Sequence, residues 1–225
     1  MDDQRAGPGF QSGLIQVKNL KMTTAVRHKR RSRNSLNREN IVQVAMEILQ
    51  EEGIDGLSMR KIAEKLDCSV ASPYSHFKSQ EEIIQVLIAK GETELTQLLR
   101  NAQRNGKNSF EKLAGIARAY WDFSLNNKEL HKVMFNTVHG HMHRKAFPSL
   151  PTSYRVFLET IRNGCASKEF KLPKAEYPAI ARMMWAWMYG LMVLDLTNML
   201  KRRRGGKDDP LSEGFLYFRK ILLGE

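Results

Sequence analysis

Between Leu57 and Glu82 the chain reads LSMRKIAEKLDCSVASPYSHFKSQEE, two short amphipathic segments on either side of a tight turn. Met59, Ile62, Ala63 and Leu66 recur at helical spacing and are expected to face inward. Ser58 stands before them as an N-cap, its hydroxyl placed to meet an orphan backbone N–H. Ala63 is small, which suits a point where two helices cross closely. Asp67 falls where the turn needs a left-handed backbone; glycine is the usual solution, and Asp is among the few side chains that tolerate it. Ser69 is expected to cap the second segment, which leaves Val70 to Phe77 as a candidate reading helix. A helix-turn-helix of this layout lays a helix N-terminus in the DNA major groove, so the stretch constrains fold and function together.

The pairing of Ile62 with Ala63, a short turn, and small residues before Tyr74-Ser75-His76-Phe77-Lys78-Ser79 resembles the TetR-type transcriptional regulators. Upstream, Arg38, Ile41, Ala45, Ile48, Leu49, Gly53 and Leu57 stand where that family's first helix and following turn want them. The resemblance runs from roughly Ser35 to Glu94 and weakens beyond. Two departures are visible. Asp67 replaces a common Gly, and Gln80 replaces a common Lys that would touch phosphate, which removes one backbone contact. The Ala71-Ser72-Pro73-Tyr74 wording, with Pro73 where Leu or Val is common, resembles a subset of the family. Pro73 lies about one turn into the helix, where a missing N–H costs little.

Charge agrees with an acidic partner. The formal net charge is +12 and the pI is near 9.8, which suits nucleic acid or an anionic membrane. Between Met1 and Arg38 nine Lys and Arg side chains stand against only Asp2 and Asp3, immediately before the helix-turn-helix. Two cysteines, Cys68 and Cys165, cannot build a disulfide framework, and the N-terminus lacks the apolar core of a secretory signal. A cytoplasmic, nucleoid-associated protein is the expectation. Ala179 to Leu200 is the most apolar stretch, but it contains Arg182 and Asp195 and reads as a buried helix, not a membrane span.

Three regions are expected: a flexible basic arm over 1–34, a helix-turn-helix domain with its connecting helix over 35–100, and a helical effector-binding and dimerisation domain over 101–225. Met22 is a possible start, because nothing before it is patterned. The first helix should run from an Asn37 cap to about Glu52, closed by Gly53. Ser79 and Glu82 form a capping box for a fourth helix that continues toward Leu99. Asn101 to Asn108 is polar and makes a joint. Ser109 should cap the next helix, and another should span Lys128 to Val138. Further helices should end at Gly164, run from Pro173 to Leu200, and open at Asp209-Pro210. No strand-like alternation appears, so the fold class is all-α. Trp185-x-x-x-Tyr189-Gly190 resembles, with Tyr in the His slot, a Trp-x-x-x-His-Gly signature on the family's penultimate helix. The resemblance implies a four-helix dimer interface. A helix apolar nearly all round also demands cover on most sides, which a dimer seam supplies.

Candidate DNA-binding residues are Arg60, Ser69, Val70, Ala71, Ser72, Tyr74, Ser75, His76 and Lys78, joined by Arg30, Arg31 and Arg33 of the arm. Tyr74, His76 and Lys78 suit phosphate, whereas Phe77 reads as core. Val70, Ala71 and Ser72 offer apolar contact to a thymine methyl and one hydroxyl, and Arg60 is the better reader of guanine or phosphate. The run from Arg27 to Arg33 can enter the minor groove or track the backbone. Trp121, Met134, Trp185, Met188 and Tyr189 are candidates for an apolar effector pocket, against an ordinary packing role. His139, His141 and His143 lie in a loop-like HGHMH without a nearby carboxylate or Cys, so neither metal nor cofactor is expected. No nucleophile elbow, Gly-rich phosphate loop or metalloprotease pair is present, which excludes the common enzyme classes. The reading is a homodimeric, effector-responsive repressor on palindromic operator DNA, without a membrane partner. The alternatives are a nucleoid-type protein binding nucleic acid without sequence preference and a membrane-surface protein using the basic arm.

Overall fold

Asn37 caps the first helix: its side-chain oxygen accepts from the backbone N–H of Asn40 at 2.8 Å and opens α1, Arg38–Gly56. The computed structural model describes residues 36–135, 150–173, 175–200 and 209–225. Ile41, Val42, Val44, Ala45, Ile48 and Leu49 are the buried stripe of α1. Gly53, at φ +73°, breaks the helix where the closing residue was expected. Ser58 Oγ accepts from Lys61 N at 3.2 Å and caps α2, Met59–Lys65. Asp67 carries the left-handed turn at φ 51°. The next helix, α3, is only Ala71–Tyr74, but helical hydrogen bonding continues to Phe77, whose N–H reaches Pro73 O at 3.0 Å.

The remaining elements are α4 (Gln80–Asn105), α5 (Ser109–Asn126), α6 (Lys128–Phe135), α7 (Thr152–Ala166), α8 (Tyr177–Leu196) and α9 (Pro210–Leu223). Among the described residues there is no strand, so the all-α expectation holds. At 1.5 Å per residue α4 is about 39 Å long. It crosses the expected boundary at Arg100 without a break and packs on α1 as well as on α5, α6 and α7. The chain next leaves the helix at Gly106–Asn108, between α4 and α5.

Several local expectations are corrected. Asn108, not Ser109, caps α5, its side chain accepting from Glu111 N at 2.8 Å. Ser109 instead turns its N–H and hydroxyl to the Glu169 carboxylate, at 2.6 and 3.0 Å, and these bonds hold that carboxyl below its ordinary range. Ser69 does not cap the reading segment through the backbone; its hydroxyl meets the Ser72 hydroxyl at 2.8 Å. The helix expected to end at Gly164 runs to Ala166. The one expected from Pro173 to Leu200 is confined to Tyr177–Leu196, because Pro178 belongs to its first turn and Asn198 takes a positive φ just past its end.

The penultimate helix also departs from expectation in its burial. Only Ala181, Met184, Met188 and Met192 of α8 are buried, a single stripe against α5, α7 and α9. Met183, Val193 and Leu194 are exposed, as are Leu216, Tyr217 and Ile221 on α9. The helix is long and apolar enough to cross a bilayer by composition alone, yet it carries Arg182 and Asp195 and packs along one side.

Candidate nucleic-acid interface and the aromatic centre of the C-terminal helices

Two buried residues hold the reading segment onto the first helices: Pro73, and Phe77 at 1% exposure. With those side chains turned inward, the opposite face of the segment is presented to solvent. Ser69, Val70, Ala71, Tyr74, Ser75 and Lys78 are exposed, whereas Ser72 and His76 are half-buried. Tyr74, at 52% exposure, is far from a core residue, unlike Phe77. Ser72 is engaged locally: its hydroxyl meets Ser69, and its carbonyl accepts from the Ser75 hydroxyl at 2.7 Å. Arg60 is exposed in the first turn of α2. Its neighbours Lys61 and Lys65 pair instead with Glu52 and Glu51 of α1, so their charge is partly neutralised within the protein. Arg30, Arg31 and Arg33, like the HGHMH run, lie outside the described residues.

Arg38 organises this surface, a role its match to the family's first helix did not disclose. One guanidinium nitrogen donates to the His76 carbonyl and another to Glu82 Oε1 at 2.9 Å. Its charged plane lies 3.9 Å from the centre of the Phe77 ring, a cation–π contact. The expected capping box is half realised. Ser79 Oγ accepts from Glu82 N at 3.3 Å, but the Glu82 carboxylate takes Lys78 N at 2.8 Å and not the N–H of Ser79. The Lys78 N–H, then Arg38, hold the Glu82 carboxyl below its ordinary range. One residue of α1 thereby fastens the end of the reading segment to the start of α4.

A second centre lies between α4, α5, α6 and α8. Tyr120 of α5 is fully buried and stacks on Trp185 of α8, with centroids 4.8 Å apart and planes 17° from parallel. His131 and Phe135 of α6 lie 5.8 and 5.9 Å from the same ring. Tyr189 closes the group, its hydroxyl donating to the Phe135 carbonyl at 3.1 Å. Burial pushes the His131 imidazole down to about 4, so it is neutral at neutral pH, and burial drives the Tyr120 phenol well above its usual value. Among the described residues, neither the Tyr120 hydroxyl nor His131 Nε2 has a hydrogen-bond partner.

Beside this cluster, Glu92 of α4 is 2% exposed. Its carboxylate accepts from Ser153 N at 2.8 Å and Ser153 Oγ at 3.0 Å, in the first turn of α7, where the helix dipole favours an anion. Burial raises the Glu92 carboxyl above its ordinary value, and the Ser153 bonds oppose that shift. Of the five residues proposed for an effector, Trp185 and Tyr189 meet at this centre. Trp121, Met134 and Met188 are buried. Met134 fills the space left by Gly91, where a Cβ would come within 2.6 Å of its sulfur. The residues that sequence reasoning passed over here are Glu92, Tyr120 and His131. Glu92 carried a readable signal, a carboxylate four residues after Ile88 on the apolar stripe of α4.

A helix-turn-helix head on a longer helical body defines a one-chain DNA-binding regulator. The family model for bacterial regulatory proteins of the tetR family matches residues 41–87, and that for the tetracyclin repressor-like C-terminal domain matches residues 113–213. The chain belongs to the TetR family of transcriptional regulators. The class D tetracycline repressor protein of Escherichia coli is 42% identical over 52 residues, 23% of this chain and 24% of the repressor. The chain thus spans about a quarter of the length of that relative. A Rhodococcus sp. RHA1 protein of unknown function matches with a TM-score of 0.73 at 22% identity, over 86% of this chain and 99% of that one. BioQ, solved with its double-stranded DNA operator, matches with a TM-score of 0.56 at 19% identity, over 85% and 100% of the two chains. These structural likenesses establish the fold.

Proposed function

We propose that this TetR-family chain is a homodimeric repressor that binds a two-fold symmetric operator in duplex DNA and is released by a small, largely apolar effector. The observation that carries the reading is the outward face of residues 69–78, with Tyr74 and Lys78 exposed beside Val70, Ala71 and Ser75 while Pro73 and Phe77 hold the segment to the core. Lys78, Tyr74 and His76 would position the head on phosphate, and Arg60, Ser69 and Ser72 would contribute to base choice alongside Val70, Ala71 and Ser75. Arg30, Arg31 and Arg33 would add salt-dependent affinity to the same site. In this reading 1–34 is an arm, 35–100 the DNA-binding domain and 101–225 the effector and dimerisation domain, in a protein working at the cytoplasmic nucleoid.

Dimerisation is supported by the exposed apolar side chains Met183, Val193 and Leu194 of α8 and Leu216, Tyr217 and Ile221 of α9, which a partner subunit would cover. Repression is extended to this chain from the tetracycline repressor relative. Release by an effector requires differential affinity, and a tenfold loss of DNA binding corresponds to about 1.4 kcal/mol of coupling.

Selection of bound DNA from a random duplex pool, at fixed salt, tests the proposal. A dyad-symmetric consensus with half-sites about one helical turn apart, or slightly more, is expected, with a dimer by light scattering at micromolar concentration. A consensus without dyad symmetry, or a monomer, would refute it. Binding with no sequence preference would instead identify a nucleoid-type protein, whose affinity is almost wholly counterion release.

A further inference from the structure

We propose that Tyr120 and His131 are the hydrogen-bonding centre of an effector site for a flat, uncharged aromatic molecule bearing a hydroxyl or carbonyl group. The inference rests on the reading that the C-terminal helices hold an effector, and it names the chemical class. Buried polar atoms are nearly always hydrogen-bonded, and leaving one unpaired is costly. Here two such atoms, Tyr120 Oη and His131 Nε2, belong to residues 0% and 2% exposed whose rings are neighbours at 5.8 Å. Their position is chemically distinctive, since Trp185, Phe135 and Tyr189 supply ring faces and edges around them.

Functional-group matching narrows the class. A phenol donates and accepts one hydrogen bond, and a neutral imidazole nitrogen does either according to its tautomer. A ligand hydroxyl can therefore donate to one of the pair and accept from the other, and a carbonyl can accept from the Tyr120 O–H or from a protonated Nε2. Charge is disfavoured. Burial keeps Tyr120 protonated and His131 neutral, and the nearby Glu92 carboxylate is already engaged by Ser153. A ligand carboxylate or ammonium would lose its hydration here without a counter-charge.

The site also touches the right element for release. His131 and Phe135 sit on α6, which packs on α1 and α4. At its first turn the Glu129 carboxylate lies beside Gly53, where α1 breaks, so a Cβ at Gly53 would come within 3.3 Å of it. A molecule wedged against His131 thus bears on a helix in direct contact with the DNA-binding head, without relying on α4 alone.

Isothermal titration of the full chain with 2-naphthol, naphthalene, 2-naphthoate and trimethyl(2-naphthyl)ammonium tests the class without involving DNA. The expected result is that 2-naphthol binds about tenfold tighter than naphthalene, the worth of one well-made buried hydrogen bond, and tighter than both ions. That preference should disappear in Tyr120→Phe and in His131→Leu. Unliganded Tyr120→Phe should be at least as resistant to urea as the parent, because it loses only an unpaired hydroxyl; this variant alone decides the matter if His131→Leu does not fold. Equal or absent binding of naphthol and naphthalene overturns the inference. So does a preference for either ion, a hydroxyl preference that survives Tyr120→Phe, or a destabilised Tyr120→Phe, which would mean the hydroxyl is already satisfied. Hydroxyl-dependent binding that leaves the selected operator bound would uphold this site and refute the release reading. A selected operator with no such binding would do the reverse.

Discussion

Protonating His131 should destabilise this protein as the pH falls toward 5. The imidazole is buried against Tyr120, Phe135 and Tyr189, with Glu92 near the Tyr120 hydroxyl, and burial moves it from 6.5 to about 4. Because the folded value is the lower one, the unfolded chain takes up the proton first as pH falls. The stabilisation from keeping His131 neutral is therefore complete above pH 6.5 and drains away as pH drops toward 4. In full it corresponds to about 3 kcal/mol, of which about 2 kcal/mol is gone by pH 5. Glu92 works in the opposite sense, so the quantity to measure is a difference between two proteins. Urea unfolding at pH 7.5 and 5.0, at one protein concentration because dimerisation contributes to apparent stability, should show the parent losing about 2 kcal/mol more than His131→Leu. If the two proteins lose stability in parallel, His131 is not held neutral by its surroundings, and the argument fails.

Other changes have distinct signatures. Lys78→Ala should weaken binding to all DNA sequences alike and flatten the dependence of log affinity on log salt by about one unit, whereas Arg60→Ala should relax preference at one position of each half-site; the reverse pattern in a binding titration would exchange their roles. Arg38→Ala removes the bonds to the His76 carbonyl and Glu82 and the contact with Phe77; urea unfolding should show a loss of about 1 kcal/mol for so exposed a group. Asp67→Gly should leave stability unchanged or slightly raised, while Asp67→Val should cost about 1–3 kcal/mol by calorimetric melting, because a β-branched residue is strained at φ 51°. Glu92 has its carboxyl raised in the folded state, so its contribution to stability falls as pH rises above about 4.5 and opposes that of His131; between pH 4.5 and 7 the urea midpoint of Glu92→Gln should therefore rise more than the parent's.

The sequence by itself determined those features that depend on a few neighbouring residues. Helical periodicity placed the inner stripes of α1, α2 and α4, and the caps at Asn37, Ser58 and Ser79 followed from side chains that reach backbone N–H groups three residues on. Asp67 was readable as the left-handed turn because few residue types tolerate that backbone. The division of Tyr74 from Phe77 into outward and inward side chains followed from their chemistry, a hydroxyl suited to phosphate against a wholly apolar ring, and not from spacing, since residues three apart share a helix face.

Tertiary structure alone decided the interactions between residues far apart in the chain. Nothing near Arg38 indicates that it will clasp His76 and Glu82, and nothing near Glu92 names Ser153 as its partner. Ser69 and Ser109 had the chemistry of caps, but the folded chain turned Ser69 toward Ser72 and Ser109 toward Glu169, because a hydroxyl serves whichever partner the packing brings near. The apolar character of α8 was plain in sequence, yet composition that is apolar on every side carries no record of which stripe the monomer buries. Local bonding rules act within a turn of helix and are written in residue order, whereas burial and pairing depend on which helices meet, and that is settled only when the whole core packs.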